Sequence, residues 1–295
     1  MKRLLLVLCF CLFPLSTLAQ DHSLLTVERI FNSDEFAERK FGPARWLEKG
    51  AGYTTLEPSN TIETGTDIVR YDTRSGKRKV LVSAEKLIPD GLKNPLDIDN
   101  YEWSHDKKNL LIFTNTKKVW RYHTRGDYWV LNLQTWKLNK VGRSAKPSTL
   151  MFAKFAPDGS MVAYVREQNI YVEDIAGTKI VQLTSDGLGN IINGTSDWVY
   201  EEEFGLRDGF RWSPDSRHIA YWHFDANGIK TFYMINNTDS LYPQLIPLQY
   251  PKVGTINSAC KVGVVSAEGG KTTWFKVPGN ARDHYIPKME WAAAS

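Results

Sequence analysis

An aromatic residue followed by a turn signal recurs along this chain at nearly equal spacing. The residues that open these repeats are Trp46, Trp103, Phe155 and Trp212, which lie 57, 52 and 57 positions apart. Short strand-like runs that end in turns follow each of them, giving about four strands per period. Four strands in roughly 50 residues are typical of a β-propeller blade. The spacing therefore predicts an all-β fold, a partial β-propeller of about four blades with the start of another at Trp291.

Each predicted blade is a small sheet with apolar side chains on both faces, so only stacking on neighbouring blades removes those side chains from water. Turn sequences such as Pro157-Asp158-Gly159 and Pro214-Asp215-Ser216 combine a fixed φ at proline with a tolerant next position, which favours tight hairpins. The 10 Trp, 13 Tyr and 13 Phe also favour β structure. A β-sandwich has similar strand density and is the alternative, but one motif repeating at near-equal spacing favours the propeller.

The amino terminus has the three parts of a signal peptide. Lys2 and Arg3 precede an apolar run from Leu4 to Leu18, and Thr17-Leu18-Ala19 supplies small residues for cleavage. A lipoprotein anchor is the alternative, disfavoured because bulky residues precede both cysteines of the run. Elsewhere nothing approaches the roughly 18 apolar residues of a membrane span. We therefore expect residues 1–19 to be a signal peptide and the protein to be exported to the periplasm or the extracellular space, without a stable membrane span.

Charge and motifs exclude several classes of function. Without its signal peptide the chain has 35 basic and 33 acidic side chains, a net charge of +2, which gives no electrostatic basis for nucleic-acid binding. Cys260 is the one cysteine outside the signal peptide, so neither an intrachain disulfide nor a cysteine-based zinc site is expected there. The six histidines form no metal-binding pattern, and the sequence contains no phosphate-binding loop and no Gly-x-Ser-x-Gly nucleophile elbow. We expect no cofactor, no metal and no catalytic residue in this chain.

An acidic segment interrupts the blade rhythm between Leu183 and Trp212. It reads Asp-Trp-Val-Tyr-Glu-Glu-Glu-Phe-Gly and spans 197–205. Such a run is most often a solvated acidic face on a short helical turn. Here Trp198, Tyr200 and Phe204 can anchor it by apolar burial, and clustered carboxylates become tolerable when a cation lies among them. A ligand ammonium would be such a cation.

This acidic segment and the blade that follows it resemble the propeller domain of the dipeptidyl peptidase IV branch of the prolyl oligopeptidase family of serine peptidases. The resemblance runs from about Trp46 to the end of the chain and rests on several further motifs. These are Val119-Trp120-Arg121, Asp127-Tyr128-Trp129-Val130, Trp212-Ser213-Pro214-Asp215, Ile219-Ala220-Tyr221, Leu241-Tyr242-Pro243, Tyr250-Pro251-Lys252-Val253-Gly254-Thr255-Ile256-Asn257, Asp283-His284-Tyr285 and Glu290-Trp291-Ala292.

The resemblance implies an eight-bladed propeller that caps an α/β-hydrolase domain and an enzyme that removes Xaa-Pro or Xaa-Ala dipeptides from peptide amino termini. The family's paired glutamates match Glu202 and Glu203, which would hold the α-ammonium of a peptide with a free amino terminus. Arg121 matches the arginine that orients a substrate carbonyl or carboxylate. A strand arginine paired with a neighbouring carboxylate is the alternative for Arg121.

The resemblance divides the chain into a lead-in segment, residues 20–43, and a truncated propeller, residues 44–295, with the α/β-hydrolase domain absent. We therefore expect a fragment of a longer reading frame that recognises substrate and is inactive alone. The alternative is a stand-alone, non-catalytic secreted propeller that binds peptides or a protein partner. The family also makes a homodimer plausible, through an arm near residues 241–257.

Overall fold

The computed structural model describes residues 24–38 and 41–292. The predicted signal peptide lies outside these residues, and its assignment stays a prediction. A boundary between Phe41 and Gly42 divides the chain into two compact units. The first contains a short helix, α1 (Val27–Phe31), capped by Thr26, whose hydroxyl accepts a hydrogen bond from the Arg29 N–H at 3.2 Å. No helix in the described ranges is both long and apolar enough to cross a membrane.

Three four-stranded antiparallel sheets make up most of the second unit, as the repeat spacing predicts. In each sheet the strands pair in the order in which they follow one another in the sequence, and we call these sheets the first, second and third blades. The first blade contains β1 (Arg45–Leu47), β2 (Gly52–Pro58), β3 (Thr66–Asp72) and β4 (Arg78–Val82). The second contains β5 (Asn100–Trp103), β6 (Asn109–Val119), β7 (Tyr122–Asn132) and β8 (Leu138–Lys140). The third contains β9 (Met151–Phe155), β10 (Met161–Arg166), β11 (Asn169–Asp174) and β12 (Ile180–Gln182).

The fourth blade is interrupted by insertions. Helix α2 precedes its first strand, and a separate two-stranded hairpin, which we call the arm hairpin, lies between its second and third strands. The elements in chain order are β13 (Ile191–Asn193), α2 (Trp198–Phe204), β14 (Phe210–Trp212), β15 (His218–Asp225), the arm hairpin β16 (Thr231–Asn236) and β17 (Gln244–Gln249), β18 (Ala259–Ser266) and β19 (Thr273–Trp274). The homodimer expected through residues 241–257, which overlap the exposed end of the arm hairpin, stays a prediction.

Three of the four aromatic residues that mark the repeats lie at the ends of the first strands, and Trp46 lies in the middle of β1, whereas the sequence pattern predicts all four at the beginnings of the blades. Trp103, Phe155 and Trp212 are the last residues of β5, β9 and β14. The residues before each aromatic already pair with the second strand of the sheet, for example Tyr101 with Ile112. The first strand therefore consists of the residues that pair with the second strand, and the aromatic residue marks the point where this pairing ends and the turn begins.

The turns after these aromatic residues share one geometry. In the second, third and fourth blades the residue four places after the aromatic has a positive φ, namely Lys107 (60°), Gly159 (75°) and Ser216 (61°). Its N–H donates to the carbonyl three residues earlier, for example Gly159 to Ala156 at 2.9 Å. The turn that the Pro-Asp-Gly and Pro-Asp-Ser sequences predict is therefore confirmed, and it closes the first two strands into a tight hairpin.

Alternate side chains of the central strands stack the blades on one another. In β6, Leu110 and Ile112 pack with the first blade, whereas Leu111 packs with the third. In β10, Val162 and Tyr164 likewise face the second blade, while Ala163 and Val165 face the fourth. Because successive residues of a strand point to opposite faces, one apolar run supplies two interfaces. This arrangement confirms the stacking expected of propeller blades.

The two ends of the stack differ in how well their apolar side chains are covered. Trp46 lies in the first blade and Val265 in the fourth. Trp46 is 70% exposed, but Val265 is 1% exposed because it packs toward the third blade. The opposite face of the fourth blade is covered by a cluster that includes Tyr200 of α2 and by Ile286 and Met289. The central strand β15 is therefore covered on both faces, whereas the edge strand β19 is exposed.

Candidate substrate-binding site

The residues at the two ends of helix α2 explain where the helix begins and where it ends. The Asp197 carboxylate accepts a hydrogen bond from the Tyr200 N–H at 3.0 Å, which caps the amino terminus of the helix. Gly205 adopts a left-handed conformation (φ 61°), and its N–H donates to the Tyr200 carbonyl, which ends the helix. Burial raises the pKa of Asp197, although the hydrogen bond from Tyr200 acts in the opposite direction. The acidic segment is thus a defined helix of seven residues.

One face of α2 is fixed against the fourth blade. The ring of Tyr200 is buried and lies 4.6 Å from the ring of Phe224, and its hydroxyl accepts a hydrogen bond from the Ile286 N–H at 2.8 Å. Phe204 contacts Tyr200 and Tyr285 but remains partly exposed. Tyr200 is therefore the main apolar anchor among the three aromatic residues that the sequence offered for this role. Its burial directs the glutamates of the helix away from the sheet.

The three glutamates of α2 have three different environments. Glu201 forms an ion pair with Arg207 at 2.5 Å, and Glu202 forms one with Arg121 at 3.2 Å. Glu203 is exposed, and within the described ranges no cation lies at ion-pair distance from it. Burial raises the pKa of Glu201, while the charge of Arg207 lowers it. Two of the three carboxylates are therefore paired and partly buried, which differs from a uniformly solvated acidic face.

Arg121 reaches the site from the second blade. It lies in the turn between β6 and β7, next to Trp120, whose φ is 55°. The Arg121 side chain is 71% exposed, whereas that of its partner Glu202 is 22% exposed. The structure thus brings two of the three predicted site residues into direct contact although they belong to different blades. This contact also agrees with the alternative reading of Arg121 as an arginine paired with a neighbouring carboxylate.

Among the cavities beside α2, two adjoin each other and contain the predicted site residues. The first, of about 570 Å³, contains the Arg121–Glu202 pair and is lined by aromatic side chains. The second, of about 610 Å³, contains Glu203 and Tyr285. Trp198, Tyr250 and Lys252 line both cavities. The predicted pair Glu202 and Glu203 therefore lies side by side on one helix but faces two adjoining spaces.

Sequence reasoning did not assign Tyr250, Lys252 or Arg207 to the site. Trp198 was expected as a buried anchor, but it is half-buried, lines the cavities and contacts the Tyr250 ring at 4.3 Å. The helical spacing of Trp198 and Glu202, four residues apart, was a signal that these two side chains share a face. Tyr250 and Lys252 come from the segment after the arm hairpin, and no local pattern connects that segment with α2.

The chemistry of the site suits a cationic group next to a polar or anionic one. Carboxylates accept charge-assisted hydrogen bonds from an ammonium, and a guanidinium donates to a carbonyl or carboxylate. A carboxylate offers about four acceptor positions, so Glu202 can accept from Arg121 through Oε2 and still accept from a ligand. Aromatic walls around these charges provide apolar contact for the rest of a ligand.

A sequence model of the family described as "Dipeptidyl peptidase IV (DPP IV) N-terminal region" matches residues 104–295. This chain belongs to that family. The match contains Arg121 and all of α2. The family match therefore covers the last three strands of the second blade, the third and fourth blades and the candidate site.

Several members of the dipeptidyl peptidase IV family are similar to this chain over most of its length. A protein of Aspergillus clavatus named "Probable dipeptidyl peptidase 4" is 31% identical over 81% of the chain and 32% of its own length. A mouse protein named "Inactive dipeptidyl peptidase 10" is 28% identical over 98% of the chain and 36% of its own length. The crystal structure of Porphyromonas gingivalis dipeptidyl peptidase 4 matches with a TM-score of 0.74 and 30% identity, over 89% of this chain and 36% of that one. The chain thus spans about a third of the length of these relatives.

Proposed function

We propose that this chain is the substrate-recognition propeller of an exported serine-type dipeptidyl peptidase that removes Xaa-Pro or Xaa-Ala dipeptides from peptide amino termini. Glu202 and Glu203 bind the α-ammonium of the peptide, and Arg121 orients a carbonyl or carboxylate nearby. The 295 residues contain no Gly-x-Ser-x-Gly nucleophile elbow, so by themselves they bind the peptide and do not cut it. Fixing the ammonium sets which peptide bond lies at the site of cleavage.

The observation that carries this proposal is the 3.2 Å contact between Arg121 and Glu202. This contact links the second blade with helix α2 of the fourth blade, and the next residue of the helix, Glu203, provides a second carboxylate. Glu203 has no ion-pair partner among the described residues, so its carboxylate can pair with a cationic group of the ligand. Partial burial of Glu202 strengthens a hydrogen bond to that group because solvent screens it less.

Calorimetric titration with a short peptide tests the proposal. The chain should bind Ala-Pro-Ala more tightly than N-acetyl-Ala-Pro-Ala, because acetylation removes the charge that the carboxylates recognise. A charge-assisted hydrogen bond contributes about 1.5–3 kcal/mol, so the expected preference is about ten- to a hundred-fold. The same chain should not release the chromophore from a Gly-Pro chromogenic amide. Equal affinity for both peptides would contradict the recognition role, and turnover blocked by a serine-directed reagent would contradict the inactivity.

A non-catalytic propeller that binds peptides is the second candidate function. The observation in its favour is the similarity to a relative whose name describes it as inactive. Both candidates share the site around Glu202, so peptide binding does not separate them. The nucleotide sequence after the Ser295 codon does. An open frame that continues into a Gly-x-Ser-x-Gly segment supports the peptidase, whereas a stop codon supports the binding protein.

A further inference from the structure

The hairpin that carries Arg121 extends beyond its blade. Strand β5 pairs with residues 110–113 of β6, and β8 pairs with residues 129–131 of β7. In the part of the chain that the structure describes, no third strand pairs with residues 115–125, which we call the ribbon. The ladder within the ribbon is also irregular, with register shifts around Lys117. Because an isolated two-stranded ribbon is marginally stable in water, contacts outside the sheet must hold its tip in place.

Arg207 makes such a contact. It follows α2, and its guanidinium lies over the ring of Tyr122, 4.2 Å from the ring centroid. The same guanidinium forms the 2.5 Å ion pair with Glu201. The backbone there is fixed as well, because the Thr195 hydroxyl donates to the Arg207 carbonyl at 3.0 Å. Arg207 therefore connects the helix that carries the glutamates with the tip of the ribbon.

The ion pair that anchors Arg207 is more buried than the Arg121 side chain. The side chains of Arg207 and Glu201 are about one-fifth exposed, whereas Arg121 is largely exposed. An exposed ion pair alone contributes little to the position of a long side chain. Stacking on Tyr122 adds a second restraint, which acts on the residue next to Arg121. The Arg207 guanidinium that stacks there is itself held by its ion pair with Glu201 of α2.

We propose that Arg207 is a positioning residue for the ammonium site: anchored by Glu201, it holds the ring of Tyr122 and thereby keeps Arg121 beside Glu202. This inference rests on the function proposed above, because it concerns how that site is held. Arg207 lines neither the cavity of Glu202 nor that of Glu203, so its role is to hold other residues in place. Its loss leaves all three predicted site residues present but lets the ribbon that carries Arg121 move.

Hydrogen–deuterium exchange tests the restraint without any ligand. Arg207→Met removes the charge at similar length, and Tyr122→Leu removes the ring. Both variants should exchange faster in residues 117–124 than the unaltered chain, whereas Tyr122→Phe, which keeps the ring, should not. Arg78→Met is the matched control, because Arg78 forms a 2.8 Å ion pair with Glu57 in the first blade, away from the ribbon. Unchanged exchange in Arg207→Met would overturn the proposal.

Peptide affinity tests whether the restraint serves the site. An exposed cation–π contact corresponds to about a two- to five-fold change in affinity, so Arg207→Met should weaken binding of Ala-Pro-Ala by that factor. The loss should disappear when Arg121→Ala is already present, because Arg207 acts through Arg121. An equal loss in both backgrounds would overturn the positioning role and leave the ammonium site standing. If the unaltered chain does not prefer the free amine, the ammonium site itself fails, and the positioning role fails with it.

Discussion

The first and fourth blades share one strand pattern, but the fourth also contains insertions that carry the candidate site. In the first, four strands follow one another between Arg45 and Val82, joined by short connections. In the fourth, α2 precedes the first strand, the arm hairpin separates the second strand from the third, and an extra strand, β13, pairs with the end of β15. Trp46 on the first blade faces solvent, whereas Trp222 on the fourth is fully buried.

The difference between these blades shows where this fold can carry a binding site. A regular blade uses its side chains for the two stacking interfaces and for hairpin turns. The insertions of the fourth blade take no part in those contacts, so α2 can place Glu202 against Arg121 of the ribbon while Glu203 lines a neighbouring cavity. The apolar cluster under α2 is therefore both a stability element and the base that orients the site.

The largest effect that separates the two blades should come from their tryptophans. Trp222→Ala removes a fully buried side chain whose indole N–H donates to the Ile286 carbonyl at 2.8 Å. It should lower the free energy of unfolding by about 3–5 kcal/mol. Trp46→Ala, the matched control on the first blade, should lower it by about 1 kcal/mol or less because that side chain is already exposed. Urea unfolding of both variants measures this, and equal losses would contradict the proposed contrast between the blades.

A smaller effect should come from pH, with opposite signs in the two blades. Burial raises the pKa of Glu57, but hydrogen bonds from Tyr71 at 2.6 Å and Arg78 at 2.8 Å outweigh it, and the net pKa lies below 4.5. The stability that Glu57 contributes is therefore present above pH 4.5 and lost as the pH falls. For Glu201, whose pKa burial raises above 4.5, stability is lost as the pH rises past that value.

Replacement of each of these glutamates by glutamine isolates its contribution to the pH dependence. Glu57→Gln should flatten the stability profile below pH 4.5, and Glu201→Gln should flatten it above pH 4.5. Urea titrations between acidic and neutral pH, compared with the unaltered chain, provide the profiles. If both variants changed the profile on the same side of pH 4.5, the two carboxylates would share one environment and the contrast would fail.

The sequence predicts the blades well because the features that define a blade lie close together in the chain. Equal spacing of aromatic residues, period-two alternation and turn sequences such as Pro157-Asp158-Gly159 act within one hairpin. The resemblance indicated an arm near residues 241–257, but the pairing of β16 with β17 was not predicted, because the sequence after Asp225 does not show whether these strands pair with the blade or with each other. The covering of the fourth blade by Ile286 and Met289 is likewise a matter of tertiary packing between distant segments.

The site was predicted in part. Glu202, Glu203 and Arg121 came from the resemblance to a family, and the contact between two of them is present in the structure. Arg207 and Tyr122 were missed because they lie in different blades, and their pairing exists only after the blades stack. The separation of Glu202 and Glu203 into two cavities follows from the helix, which turns about 100° per residue and so cannot point successive side chains in one direction.

The central claim, that α2 recognises a free amino terminus, is tested most directly by three single substitutions in one titration series. Glu202→Gln, Glu203→Gln and Glu201→Gln each remove one charge at constant size, and Ala-Pro-Ala is the ligand. Glu202→Gln and Glu203→Gln should each weaken binding about ten- to a hundred-fold, and Glu201→Gln should weaken it less because Glu201 is occupied by Arg207. Equal, small losses at all three positions would mean that α2 does not recognise the amino terminus.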